Sequence, residues 1–197
     1  MPAMAEIVAA RVAYKGYVTV SVVTLRAPDG STHEREIEDH GRSACVLPYD
    51  PERRVALLVR MPRAPLLQAG EPEPLYEAPA GMIDAGETPE AAIVREAEEE
   101  AGLRLSKLEP VVTAWPSPGV SAERSSLFLA AYSASDRVGA GGGLVDEHEA
   151  ITVEELSLPE LAVMADAGRI ADLKTLALVL ALRLRRPELF GRENRPG

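Results

Sequence analysis

Glu96, Glu98, Glu99 and Glu100 place four carboxylates within five residues, directly after Arg95. Side chains of this type in this density suit one chemistry above others. Hard divalent cations such as Mg²⁺ take oxygen ligands, commonly a few carboxylates completed by water and substrate phosphate. The segment reads as a helix. Thr88-Pro89 offers an N-cap followed by proline at the first helical position, and Gly102 supplies the stop. A helix advances about 100° per residue. With Glu96 at zero, Glu100 lies near ~40° and Glu99 near ~300°, so these three share a sector roughly 100° wide. Glu98 falls near ~200°, where it faces solvent or pairs with a cation.

Like charges one turn apart cost a helix a few tenths of a kcal/mol per pair, and late acidic residues oppose the helix dipole. The cluster is therefore a local cost that cation binding would offset. The plain alternative is a solvated acidic face. The flanks weigh against it. Gly81 to Glu87 is a glycine-bearing turn leading into the helix, and Arg95 stands four residues before Glu99, where it can pair with and orient that carboxylate. Ile93, Ala97 and Ala101 supply an apolar stripe for docking.

Taken together, Gly81, Glu87, Arg95, Glu96, Glu99, Glu100, Gly102 and Leu103 resemble the signature of the Nudix hydrolase family, at its spacings throughout. Ala97 stands where a larger aliphatic residue is usual. The resemblance implies an α/β fold, a mixed β-sheet sandwiched between helices. It implies Mg²⁺, with Mn²⁺ as the other candidate ion, held by Glu96, Glu99, Glu100 and the backbone carbonyl of Ala80. Arg95 and Glu99 count among the catalytic groups. The reaction implied is hydrolysis by metal-activated water, with electrostatic stabilisation carrying the rate.

Further residues resemble the ADP-ribose pyrophosphatase branch of that family. Pro118, in Ser117-Pro118-Gly119, stands close to that branch's marker proline, and Glu123 belongs to the similar run that follows. Arg60-Met61-Pro62-Arg63 resembles its Arg-x-x-Arg, so Arg63 would hold substrate phosphates in a two-point contact. Glu77 and Gly81 match positions near the substrate. Asp146 to Ile151, after the glycines, resembles the loop that supplies a base. Glu149 is the candidate and Glu147 the second one. Each alone has a plain reading: a proline turn, a strand-end arginine, an acidic loop. Bacterial GDP-mannose pyrophosphatases are similar in the glycine run, the N-terminal sheet and the helical tail. The activity implied is Mg²⁺-dependent hydrolysis of the pyrophosphate of a nucleoside diphosphate sugar, with ADP-ribose leading and GDP-mannose as the alternative. A non-catalytic nucleotide-sugar sensor would be expected to lack box carboxylates, and all are present. A homodimer is implied too, with the N-terminal sheet contributing to the partner's site.

The elements that must position these groups read as follows. Tyr17 to Arg26, the turn Pro28-Asp29-Gly30 and a polar strand ending near Glu38 predict an N-terminal hairpin or three-stranded sheet. Such a sheet is marginal alone and needs something to pack on. Ser43 to Pro48 and Arg54 to Met61 predict paired core strands. Pro62 to Pro74 holds four prolines without a period and predicts a loop. Ser126 to Ala134 and Ile151 to Leu156 read as strands, and Gly139 to Gly143 as a mobile loop. Two helices follow, about Pro159 to Ala167 and Asp172 to Arg186. In the second, Leu173, Leu176, Ala177, Leu180 and Leu184 predict the apolar face. The organisation expected is an N-terminal sheet element at 1–40, a catalytic domain at 41–190 and a polar tail at 191–197.

Composition narrows the partners. The chain has 197 residues, 46% hydrophobic, enough for a substantial core. A net charge of −10 is the opposite of what counterion release from a nucleic acid requires. The single cysteine, Cys45, lies in an apolar run and reads as a buried small hydrophobe. Met1 to Ala10 lacks the basic region and long apolar run of a signal peptide, and Leu173 to Leu184, interrupted by Lys174, is too short to span a bilayer. The expectation is a cytoplasmic protein without membrane or nucleic-acid partners. Aromatic residues are only 4%, which leaves Trp115, Tyr14 and Tyr17 as candidates to stack on a base.

Overall fold

The computed structural model describes residues 4–71, 73–143 and 150–191. The chain forms two compact units, residues 1–42 with 114–125, and residues 43–113 with 126–197.

The first unit is built on three antiparallel strands in the order β1-β2-β3: β1 Glu6–Lys15, β2 Thr19–Arg26 and β3 Thr32–Asp39. The turn between β2 and β3 uses Gly30 at φ 84° and the Asp29 carboxylate, which accepts from Ser31 N at 2.9 Å. Residues 114–125 join this unit because Glu38 uses its backbone on both sides: its N–H donates to Val120 O (2.9 Å) and its carbonyl accepts from Ala122 N (2.8 Å). Sequence periodicity carries no sign of this long-range pairing.

The second unit holds a six-stranded sheet of order β7-β8-β4-β5-β9, with β6 also paired to β4. The strands are β4 Arg42–Asp50, β5 Val55–Arg60, β6 Ala80–Met82, β7 Glu109–Ala114, β8 Arg124–Ala131 and β9 Thr152–Ser157. The helices are α1 Ala64–Ala69, α2 Pro89–Ala101, α3 Leu158–Asp166 and α4 Leu173–Arg185. Strand side chains alternate between two buried clusters. Cys45, Leu47, Leu58, Leu127 and Leu129 pack with α3 and α4, whereas Ala44, Val46, Leu57, Phe128 and Ala130 pack with Ile93, Ala97 and Ala101 of α2. The sheet is thus covered on both faces, which is why its strands read as continuous apolar runs. Each fully buried Leu or Ile contributes about 1.5–3 kcal/mol. That exceeds the few tenths per like-charge pair that α2 loses to its glutamates. The class is the expected one, an α/β sandwich of helix, sheet and helix.

Three local expectations change. Residues 64–69 form a short helix rather than loop, entered through Pro65 and closed by Gly70 at φ 83°. β7 is a strand that its mixed polarity concealed. The buried face of α4 is Thr175, Leu178, Val179 and Leu182, not the predicted one: Leu173, Leu180 and Leu184 are exposed. This helix is apolar nearly all round, so period alone allows either face. The Thr175 hydroxyl, which accepts from Ala78 N at 2.7 Å, selects one. Cys45 is buried, its thiol held well above the usual range by desolvation. Among the described residues no helix is long and apolar enough to cross a membrane.

The corrected face gives a direct test. Leu182→Ala is expected to lower the unfolding free energy by about 2–5 kcal/mol. Leu184→Ala, at a residue 83% exposed, is expected to stay within about 0.5 kcal/mol. Urea unfolding of both checks this, and the reverse order would restore the Leu184 face.

Candidate active site

The site is organised around a wedge of backbone. β4 pairs with β5 at Tyr49 and Asp50, but with β6 at Ser43 to Cys45. Residues 77–82 lie in the gap. Glu77 exchanges both backbone bonds with Val59 of β5 (2.8 and 2.9 Å), and Pro79 O accepts from Val46 N of β4 (2.9 Å).

The carboxylate helix packs beside this wedge. Thr88 caps α2 through Ala91 N at 3.2 Å, and Gly102 ends it at φ 65°. Glu100 is 3% exposed. Its Oε2 accepts from Ala80 N at 2.9 Å. Glu96 lies against Gly81, where a Cβ on the glycine would overlap the Glu96 carboxylate. Only glycine leaves that space.

Arg95 is the hub. Its Nη1 donates to Glu96 Oε1 (2.8 Å) and Glu99 Oε2 (3.1 Å). Its Nε and Nη2 donate to the two oxygens of Glu87 at 3.3 and 3.2 Å, and Nη2 also reaches Met82 O at 3.2 Å. The expected pair with Glu99 is present, but as one of several. Hydrogen bonds to Glu87 are the main reason the guanidinium is raised above its ordinary pKa, and the same bonds hold Glu87 below the usual carboxylate range. Glu98 faces away, as its helical angle predicts, and pairs with Arg104 at 3.2 Å.

At the other end of the wedge, Arg63 makes a two-point contact with buried Glu77: Nε to Oε1 at 2.9 Å and Nη2 to Oε2 at 3.0 Å. Sequence reasoning put both beside the substrate without pairing them. The glycine run 139–143, expected as a mobile loop, is docked. Gly142 N donates to Glu100 O (2.9 Å), Gly143 N to Glu99 O (3.1 Å) and Val138 N to Gly102 O (2.9 Å). These are the carbonyls that a helix end leaves without intrahelical partners. Gly141, at φ 70°, has no room for a Cβ, which would overlap Glu100 O.

Pro118 and Glu123 belong to the first unit. Pro118 lines an apolar hollow of about 450 Å³ with Ile7, Leu25, Ile37 and Trp115. Glu123 pairs with His40 Nε2 at 3.5 Å, while His40 Nδ1 meets Glu38 and Ser121 Oγ donates to Glu38 at 2.7 Å. His40 went unnoticed in the sequence because it stands in no motif. Of the stacking candidates, Trp115 carries the Arg124 guanidinium 5.6 Å from its ring centroid, and Tyr17 stacks on His40 at 6.3 Å. Glu147 and Glu149 lie outside the described residues.

A sequence model of the NUDIX domain matches residues 39–177 of this chain. The chain belongs to the Nudix family. It is 36% identical to the GDP-mannose pyrophosphatase of Cronobacter sakazakii (strain ATCC BAA-894) over 91% of this chain and 95% of that protein. It is 35% identical to the ADP-ribose pyrophosphatase of Escherichia coli (strain K12) over 90% of this chain and 86% of that one. The fold matches that of a crystal structure described as an ADP compounds hydrolase, with a TM-score of 0.77 at 16% identity, covering 95% of this chain and 97% of that one.

The Nudix box residues offer hard oxygen donors only, and Gly81 leaves a cradle in which the Glu96 carboxylate rests. That donor chemistry fits a hard divalent cation. Among the described residues, no three His, Cys, Asp or Glu side chains gather closely enough to hold a metal ion. Glu96 and Glu99 are drawn to Arg95, and Glu100 to Ala80 N. A cation shared by all three would compete with Arg95 for the first two.

The docked glycine run is testable through stability. Gly141→Ala is expected to cost more than about 1 kcal/mol, from both the left-handed backbone and the blocked carbonyl. Gly119→Ala, where nothing lies within 4 Å, is expected to cost less than about 0.5 kcal/mol. Denaturant unfolding of the pair decides it, and equal costs would mean that the run is not held against α2.

Proposed function

We propose that this chain hydrolyses the pyrophosphate bond of a nucleoside diphosphate sugar with the help of a divalent cation. One observation carries the reading. Residues 77–82 hold Arg63 through Glu77, Glu100 through Ala80 N, and Arg95 through Met82 O. A guanidinium suited to phosphate and a set of hard oxygen ligands thus hang from one stretch of backbone.

In this reading Glu96, Glu99, Glu100 and the Ala80 carbonyl hold Mg²⁺, with Mn²⁺ as a substitute. When bound, the ion offsets the charge of the pyrophosphate and lowers the pKa of water. Arg63 takes substrate phosphates, its plane fixed by the two bonds to Glu77. Arg95 orients Glu96 and Glu99 through its hydrogen bonds to both. Glu149, with Glu147 second, is assigned to take the proton of the attacking water, and Pro118 and Glu123 are assigned to the substrate side. ADP-ribose is the leading substrate, giving AMP and ribose 5-phosphate. GDP-mannose is the second reading, supported by the relative of that name.

A homodimer is part of the proposal. All ten residues of β1 are exposed, including Ile7, Val12 and Tyr14. A strand bare on both faces buries too little to stabilise itself, and a second copy covering it would supply the missing contact. Size-exclusion chromatography with light scattering is expected to give twice the monomer mass. Ile7→Glu with Val12→Glu is expected to shift it to monomer, and a monomeric wild type would remove this part.

For the activity, ADP-ribose, GDP-mannose, a dinucleoside polyphosphate and an oxidised nucleotide are compared at fixed Mg²⁺. The highest kcat/KM is expected for ADP-ribose, and a clear lead for GDP-mannose replaces it. Glu100→Gln keeps an acceptor for Ala80 N, so the fold is retained, while kcat is expected to fall roughly 100-fold or more. Turnover at the wild-type level in that variant would remove the mechanism.

A further inference from the structure

Thr175 is a threonine on an apolar helix, and it is 0% exposed. Its hydroxyl uses both of its capacities. Oγ1 accepts from Ala78 N at 2.7 Å and donates to Asp172 Oδ2 at 2.7 Å. Asp172, the N-cap of α4, accepts as well from Thr175 N at 2.8 Å and, on its other oxygen, from Lys174 Nζ at 2.8 Å. Burial works against the charge on Asp172, but Lys174 and the hydrogen bonds from Lys174 and Thr175 outweigh it and keep the carboxyl below its ordinary pKa. The acceptor behind Thr175 is therefore ionised, and the hydroxyl has one orientation.

The backbone accounting of the wedge shows what this anchor does. Glu77 N–H goes to Val59 of β5, Ala78 N–H to Thr175, and Ala80 N–H to Glu100, while Pro79 has none. Thr175 thus holds the one N–H that lies between the residue pairing Arg63 and the residue bonded to Glu100. A shift of the segment at Ala78 moves both neighbours, and displacements of about 1 Å at positioning groups can cost 10²-fold in rate.

We propose that Thr175, oriented by Asp172, is a positioning residue for the pyrophosphatase site: it sets the place of residues 77–80 and through them the relation between the Arg63–Glu77 pair and the Ala80–Glu100 contact. This rests on the reading in which Glu100 and the Ala80 carbonyl hold the cation.

The test compares Thr175→Ser, which keeps the hydroxyl, with Thr175→Val, which keeps the shape and removes it. Each is assayed for kcat and KM on the preferred compound of the panel, for Mn²⁺ affinity by calorimetry, and for Tm. The serine variant is expected to stay within about twofold of wild type in kcat and Mn²⁺ affinity. The valine variant is expected to lose about tenfold or more in kcat and to bind Mn²⁺ more weakly, with a smaller change in KM. If valine lowers Tm alone and leaves kcat and Mn²⁺ affinity at wild-type values, Thr175 is merely structural and the proposal is overturned. If wild type turns over nothing in the panel, the substrate reading fails, and Mn²⁺ affinity alone decides this proposal: weaker binding in the valine variant supports it, equal binding overturns it. Thr175→Ala, read by the same measures, replaces valine if that variant does not fold.

Discussion

The placement of residues 77–82 between β4 and β5 is the constraint on which the site depends. A buried N–H left without an acceptor costs about 1–3 kcal/mol, so a strand that parts from its neighbour must find other acceptors. Here the N–H groups find a strand at Glu77, the Thr175 hydroxyl of α4 at Ala78 and the Glu100 carboxylate of α2 at Ala80. Pro79 falls where no donor is required. The backbone that carries the site is therefore fixed by elements on both faces of the sheet. Three residues of main chain, Ala78 to Ala80, join the bond from α4 to the bond from α2.

Charge is the second constraint. The chain is strongly acidic, and its acidity is concentrated on the helix where repulsion costs most. Arg95 answers it locally, bridging Glu87, Glu96 and Glu99 while touching Met82 O. Arg95 and its carboxylate partners are part-buried, and holding α2 against the sheet falls to its apolar face. Ile93, Ala97 and Ala101, all fully buried, do that. The small side chain at Ala97, a departure from the usual family pattern, sits in the cluster with Phe128 and Ala130. Division of labour follows: apolar residues fix the helix, and the arginine fixes the directions of its carboxylates.

What the sequence made legible was local. Thr88-Pro89 and Gly102 mark α2 because capping is decided by residues within one turn. The angular positions of Glu96, Glu98, Glu99 and Glu100 follow from helical period, and Glu98 does turn away to Arg104. What stayed hidden was long-range or degenerate. The glycine run looked free because its partners, the carbonyls of Glu99, Glu100 and Gly102, lie some forty residues earlier. The face of α4 is not legible because leucines surround that helix, and the deciding contact is the Thr175 hydroxyl accepting from Ala78 N. The Arg63–Glu77 pair joins residues whose proximity depends on Glu77 pairing with Val59 of β5. His40 had no motif to mark it. Angular position also could not say that Glu96 and Glu99 would meet on a guanidinium, since period gives direction but not partner.

The last turn of α2 shows how these constraints meet. Its carbonyls carry the negative end of the helix dipole, in the same turn as two carboxylates, an arrangement unfavourable in isolation. Gly142 and Gly143 point N–H groups at the carbonyls of Glu100 and Glu99, while Ala80 N and Arg95 take their carboxylates. Main chain and side chain of the same two residues are thus held from opposite directions. Neither can move without leaving a donor unmet. Held in this way, the two residues keep one arrangement of main chain and side chain. The glycines serve that end through their lack of a side chain. Any Cβ at 141 would part the run from the helix, and any Cβ at 81 would displace Glu96, so two residues without functional groups set where the end of α2 and its Glu96 carboxylate can lie.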